Sequence, residues 1–71
     1  MKEYVVIYER TGNGCSAYVP DLPGCVACGD TLAETERLMQ EAIELYIETL
    51  KEDGQPIPEP TTQAGSLAVG G

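Results

Sequence analysis

The fold is decided by residues 31–54, which read TLAETERLMQEAIELYIETLKEDG. Thr31 and Glu34 have the spacing of a capping box, in which the threonine hydroxyl accepts from the amide three residues on and the glutamate reaches back to the threonine amide. At the other end, Gly54 is suited to the left-handed conformation that closes many helices. The sequence therefore predicts a helix over residues 32–52.

This helix is amphipathic when its residues are placed at about 100° each. The apolar face carries Leu32, Thr35, Met39, Ala42, Ile43, Tyr46 and Leu50. That face is expected to cover a sheet, because an apolar stripe on a surface helix is stabilised by burial against the rest of the domain.

Two further sets of helix residues have two interpretations each. Three glutamates lie on the charged face: Glu41, Glu44 and Glu48. They form either a solvated surface or a docking surface for a basic partner. The apolar stripe is flanked by Leu38 and Leu45 on one side and Ile47 on the other, so it is wider than one thin sheet requires. These flanks form either a subunit seam or a hydrophobic helix edge.

Three short segments before the helix predict β-strands. Residues 4–9 are β-branched and aromatic, and residues 15–19 and 25–29 are similar but shorter. Turn-forming residues separate them at 10–14 and 20–24. Strands this close in sequence pair as an antiparallel meander. We therefore predict an α+β fold, in which a three-stranded antiparallel β-meander is packed by one α-helix.

The composition changes after the helix. Residues 55–60 contain three prolines and are expected to be extended. Residues 66–69, Ser-Leu-Ala-Val, suit a short fourth strand, which would make the order β-β-β-α-β; a disordered tail is the alternative. We expect one domain over residues 1–60, followed by a polar linker and this terminal strand over 61–71.

Charge and composition narrow the function. The chain has 71 residues and a formal net charge of −8. This charge disfavours direct binding of nucleic acid and favours a basic protein partner, although acidity that serves only solubility is an equal alternative. No run of about 18 apolar residues predicts a membrane span, and the N-terminus does not resemble a signal peptide, so we expect a cytoplasmic protein.

No catalytic or metal site is predicted. Histidine is absent, which removes the commonest general base and metal ligand. Cys25 and Cys28 have a C-x-x-C spacing, but residues three apart on a strand point to opposite faces, so their sulfurs should diverge. Together with Cys15 they are predicted to be small structural residues, and no cofactor is expected.

Several motifs together resemble the HicB-type antitoxin family. They are Tyr18-Val19-Pro20-Asp21-Leu22-Pro23-Gly24-Cys25, then Gly29-Asp30-Thr31-Leu32-Ala33-Glu34, then Ala42-Ile43-Glu44-Leu45-Tyr46, and Gly54-Gln55-Pro56-Ile57-Pro58-Glu59-Pro60. The resemblance covers residues 3–60, and its specificity lies in the combination. In the Pro20–Gly24 motif, we expect Asp21, Leu22 and Pro23 to shape the turn.

The resemblance implies an incomplete ribonuclease-H-like fold and a function without catalysis. The implied partner is a HicA-like toxin, a small basic ribonuclease that cleaves mRNA and whose active site the antitoxin masks. The resemblance also implies self-association, as a dimer or tetramer. Two alternatives stay open: a metal-dependent nuclease of ribonuclease-H-like fold, and a structural homo-oligomer without a toxin partner.

Overall fold

The computed structural model describes residues 2–71 and shows one sheet followed by one helix. Strands β1 (Ile7–Thr11), β2 (Gly14–Tyr18) and β3 (Val26–Gly29) pair antiparallel in the order β1-β2-β3, and helix α1 (Leu32–Glu52) follows. The predicted α+β meander packed by one helix is confirmed.

The first strand differs from its predicted bounds. It begins at Ile7 instead of residue 4, because Ile7 pairs with Tyr18, the last residue of β2. The chain turns away directly after Tyr18, so the residues before Ile7 lack a partner strand. Tyr4 and Val6 nevertheless pack against the hydrophobic core. Their side chains therefore match the apolar pattern of a strand, although their backbone pairs with no other strand.

The helix has the predicted bounds and a defined cap at each end. The Thr31 hydroxyl accepts a hydrogen bond from the Glu34 amide at 3.1 Å. At the C-terminus, Gly54 has a φ of 68°, and the amide of Gln55 reaches back to the Leu50 carbonyl at 2.9 Å. This is the Schellman arrangement, which requires a left-handed residue and so favours glycine.

The core lies between the helix and one face of the sheet. Its buried members are Ala17, Val19, Leu22, Cys25 and Met39. Thr35 is also fully buried, and its hydroxyl donates to the Thr31 carbonyl at 2.7 Å, so the polar group is satisfied. Helix and sheet approach closely at Gly29, where an added Cβ would lie 2.8 Å from the Thr35 hydroxyl oxygen.

The fourth strand does not form. Residues 66–69 have no regular structure, and Leu67 and Val69 are 95% and 94% exposed. The preceding segment is held against other parts of the molecule: the Tyr4 hydroxyl donates to the Pro58 carbonyl, and Lys2 pairs with Glu59 at 2.7 Å. The last residues extend beyond these contacts. Burial of two apolar side chains would offset little of the conformational entropy that this segment, with its flexible glycines, would lose on becoming ordered.

Candidate protein-binding surface

The turn over residues 20–24 packs around the Leu22 side chain, which faces the core. The Leu22 side chain is fully buried, and its amide donates to the Val19 carbonyl at 3.1 Å. Gly24 closes the turn with a φ of 83°, a conformation that other residues rarely adopt. The helix contacts the turn as well, since the Tyr46 hydroxyl donates to the Pro23 carbonyl at 3.0 Å. The turn thereby joins the sheet to the helix, while Pro20, Pro23 and Gly24 remain exposed.

Asp21 does more than form the turn. Its carboxylate accepts hydrogen bonds from the Thr62 amide at 3.0 Å, the Thr62 hydroxyl at 2.9 Å and the Thr61 hydroxyl at 3.1 Å. The bond from the Thr62 amide is the main cause that lowers the pKa of Asp21 below its ordinary value of 3.8, and the hydroxyl bonds add to it. Asp21 therefore anchors the segment that follows the helix.

The three glutamates of the charged helix face all lie on the surface. Glu41 accepts from Arg37 at 2.9 Å and Glu44 accepts from the Gln40 side chain at 3.2 Å, both across one helical turn. Glu44 and Glu48 border a shallow groove of about 450 Å³ together with Ile47 and Lys51. Exposed pairs of this kind contribute little to stability, so the fold does not depend on these carboxylates.

A second, apolar groove of about 440 Å³ lies between the helix and the β3 edge of the sheet. It is lined by Gly24, Cys25, Val26, Ala42, Leu45, Tyr46, Thr49 and Leu50. Leu45 is 65% exposed and Val26 is 63% exposed. This groove is thus an apolar surface beside the acidic one, a combination typical of protein-binding sites.

The structure separates the three residues of the predicted subunit seam. Leu45 is exposed in the apolar groove, and Leu38 is half-buried. Ile47 instead packs against the core and lies near Tyr4 and Ile57, on the side where the N-terminal segment passes. A seam that uses all three residues stays a prediction, but they do not form one continuous patch.

The cysteines diverge as predicted from their spacing. Cys25 is buried and Cys28 is exposed, and Cys15 is buried on the helix side of the sheet. Cys28 pairs in register with Ser16, so it faces away from Cys15. Burial raises the pKa of the Cys25 thiol. Within residues 2–71, no three His, Cys, Asp or Glu side chains are grouped so that they could hold a metal ion. The same residues contain no helix with the length and hydrophobicity of a membrane span.

Sequence reasoning missed two roles in the turn: Leu22 as a core residue and Asp21 as the anchor of a distant segment. Leu22 had a recognisable signal, because a large apolar side chain between two prolines is not needed for a turn. Asp21 had no such signal in the sequence, since its hydrogen-bond partners lie about forty residues later and only tertiary contacts bring them together.

The fold and the surfaces define a small acidic α+β domain with an exposed acidic helix face and an exposed apolar groove. A family model described as the HicB_like antitoxin of bacterial toxin-antitoxin system matches residues 4–68. The chain therefore belongs to the HicB-like antitoxin family, which is typically non-enzymatic.

Two curated relatives and one solved structure are similar to most of this chain. A UPF0150 protein of Synechocystis is 44% identical over 57 residues, which cover 79% of this chain and 72% of that protein. An uncharacterized 14.9 kDa protein of Haemophilus phage HP1 is 39% identical over 79% of this chain, which spans only 42% of the phage protein's length. A chain of the HicA3 and HicB3 toxin-antitoxin complex superposes with a TM-score of 0.71 and 33% identity, covering 84% of this chain and 70% of that one.

Proposed function

We propose that this chain neutralises a small basic ribonuclease toxin of the HicA type by binding it and covering its active site. The observation that carries the proposal is the likeness to a chain of a toxin–antitoxin complex at 33% identity. In this proposal the protein acts in the cytoplasm, where such a toxin meets mRNA, and it has no catalytic activity of its own.

The charge distribution supports a basic partner. The helix carries six glutamates against one arginine and one lysine, and Glu41, Glu44 and Glu48 are all exposed. Acidic and basic surfaces attract over several ångströms, which raises the rate of encounter and weakens with added salt. We propose that these glutamates meet the toxin and that the apolar groove beside them, around Leu45, supplies the buried part of the interface.

A charge-reversal experiment tests the surface. The variant combining Glu44→Lys and Glu48→Lys should slow association with the toxin about tenfold or more at low salt, because close like charges at an interface cost several kcal/mol. The matched control combines Glu3→Lys and Glu9→Lys, which changes the net charge equally at two exposed sites outside the helix. Association rates measured by surface plasmon resonance at several salt concentrations separate local contact from total charge. Equal slowing in both variants would show that only net charge matters.

Co-expression tests the function itself. The toxin partner is sought as the product of a neighbouring gene for a short basic protein, and this chain should relieve its toxicity and co-purify with it. Failure of both would refute the proposal. Incubation of the purified chain alone with RNA in Mg²⁺ or Mn²⁺ should give no cleavage, whereas metal-dependent cleavage lost on substitution of two acids would favour the nuclease alternative.

A further inference from the structure

Strand β3 forms one edge of the sheet, and its outer side has no partner strand. The Val19 amide donates to the Cys25 carbonyl at 3.1 Å, so these two residues form a hydrogen-bonded pair. Hydrogen-bonded and non-hydrogen-bonded pairs alternate along an antiparallel ladder, and Val26 and Cys28 occupy the intervening positions of the register. Their backbone N–H and C=O groups therefore point away from β2, and within residues 2–71 no hydrogen bond reaches them.

No side chain of β3 protects this edge. Natural edge strands are usually blunted by lysine, proline, a bulge or an inward-pointing charge. The sequence of β3 is Val-Ala-Cys-Gly, which has no charge and no proline, and its register with β2 is continuous. At the opposite edge of the sheet, β1 carries the charged residues Glu9 and Arg10. The β3 edge is therefore the better suited of the two to pair with another chain.

The side chains of β3 alternate between the two faces of the sheet. Cys25 is buried on the helix side. Val26 is 63% exposed on the open face, which is the side of the sheet that the helix leaves uncovered, and Tyr18 lies opposite it in the register at 41% exposed. A strand added beside β3 would likewise turn every second side chain towards the helix and the others towards the open face.

The apolar groove lies where the side chains turned towards the helix would enter. Gly24, Cys25 and Val26 form its sheet wall, and Leu45 and Thr49 belong to its helix wall. Leu45 is 65% exposed, so the groove is uncovered along the edge of the sheet. One extended segment with apolar residues at alternate positions would fill the groove and satisfy the free backbone groups of β3 together.

The charge beside the groove selects the chemistry of that segment. Glu41 lies four residues before Leu45, and Glu48 and Glu52 lie three and seven residues after it, so all three are on the same side of the helix as Leu45. All three are exposed. A segment that carries lysine or arginine next to its apolar residues complements this rim, whereas a second copy of this chain, with its net charge of −8, is repelled.

We propose that an extended basic segment of the toxin adds to the sheet beside β3, pairs with the backbone of Val26 and Cys28, and inserts apolar side chains into the groove. The proposal rests on the proposed function and names how the same site recognises its partner. In this mode the main-chain hydrogen bonds give affinity, and the pockets for alternate side chains give specificity. Because β3 has four residues, the paired part of the toxin is about 13 Å long at about 3.3 Å per residue.

Amide hydrogen exchange measured by NMR tests the pairing without any substitution. The free chain is compared with its complex with the short basic protein that co-purifies on co-expression. The Val26 and Cys28 amides should exchange rapidly in the free chain and slow by about tenfold or more in the complex. The Ala27 amide, which points towards β2, should be protected in both samples. The Tyr8 amide points outwards at the β1 edge by the same alternation and should stay fast in both.

Substitutions test whether the backbone group itself matters. Val26→Pro removes an N–H that faces away from β2, a position where an edge strand tolerates proline, and it should weaken toxin binding by about tenfold or more. Val26→Thr restores the N–H and the branched side chain, and should bind about fivefold or more tighter than Val26→Pro. The matched control Tyr8→Pro makes the same backbone change at the other edge and should alter binding less than about threefold. Surface plasmon resonance measures affinity, and far-ultraviolet circular dichroism confirms folding.

The outcomes separate this proposal from the proposed function. Rapid exchange of the Val26 and Cys28 amides in a complex that does form would overturn the strand addition and leave the toxin proposal standing, as for a toxin helix lying in the groove. Equal weakening by Val26→Pro and Tyr8→Pro, or no weakening by Val26→Pro, would also overturn it. So would slow exchange of the two amides in the free chain, because residues 66–69 or a second copy would then occupy the edge. Absence of any complex would refute the proposed function and this proposal with it.

Discussion

Replacing Leu22 with alanine should be among the most damaging single changes in this protein. The Leu22 side chain is fully buried and packs in the core with Val19 and Met39. The substitution removes three carbons, which lowers the free energy of unfolding by about 2.4 kcal/mol at about 0.8 kcal/mol per carbon. The cavity left behind raises the expected loss to between about 3 and 5 kcal/mol. A domain of this length has a total of about 4–11 kcal/mol, so the substitution should remove at least about a quarter of the free energy of unfolding.

Urea denaturation followed by far-ultraviolet circular dichroism measures this loss. Leu67→Ala is the control, because it makes the same chemical change at a side chain that is 95% exposed, and it should shift the free energy by less than about 0.5 kcal/mol. Several protein concentrations are needed, since self-association would raise the apparent stability. A loss below about 1 kcal/mol for Leu22→Ala would refute the conclusion that the turn supplies part of the core.

Three further substitutions test single contacts. Gly29→Ala should destabilise the fold by about 1–3 kcal/mol in urea denaturation, because the added carbon meets the Thr35 hydroxyl and amide at 2.8 and 3.1 Å. No effect would mean that the helix and the sheet can move apart at this position. Thr31→Ala should lower the free energy of unfolding by about 1 kcal/mol, because the helix loses its N-terminal cap. Thr31→Ser keeps a hydroxyl and should retain most of that free energy. Equal losses in the two variants would argue against capping. Asp21→Asn should speed hydrogen exchange of the Thr62 amide at neutral pH, and an unchanged rate would contradict the anchor.

The Asp21 anchor also predicts a pH dependence. The pKa of Asp21 is lower in the folded chain than its ordinary value of 3.8, so the folded state releases this proton more readily than the unfolded state. The stabilising contribution is therefore present above about pH 4 and is lost as the pH falls through the folded pKa. An NMR titration should show the Thr62 amide shift moving in this acidic range, with a midpoint below 3.8. A midpoint above 3.8 would contradict the hydrogen bonds seen here.

The bounds of the helix were predictable, whereas the strands were predictable only in number and order. Helix bounds follow from local signals, since Thr31 caps an amide three residues away and Gly54 closes the last turn. Strand bounds depend on a partner. Tyr4 and Val6 have strand-like side chains, yet β1 starts at Ile7 because β2 ends at the residue opposite. The apolar tail at Leu67 and Val69 likewise had a strand pattern, yet it pairs with neither edge strand of the sheet.

The sequence by itself determined the class of fold, the capped amphipathic helix and the acidic character, because each depends on neighbours within a few residues or on composition alone. The tertiary structure decided where Leu22 points, what Asp21 binds and which strand residues share an open face. These features depend on contacts between segments far apart in the chain, such as the bonds from Thr61 and Thr62 to Asp21. They also depend on register, where a shift of one residue would move Tyr18 to the helix side.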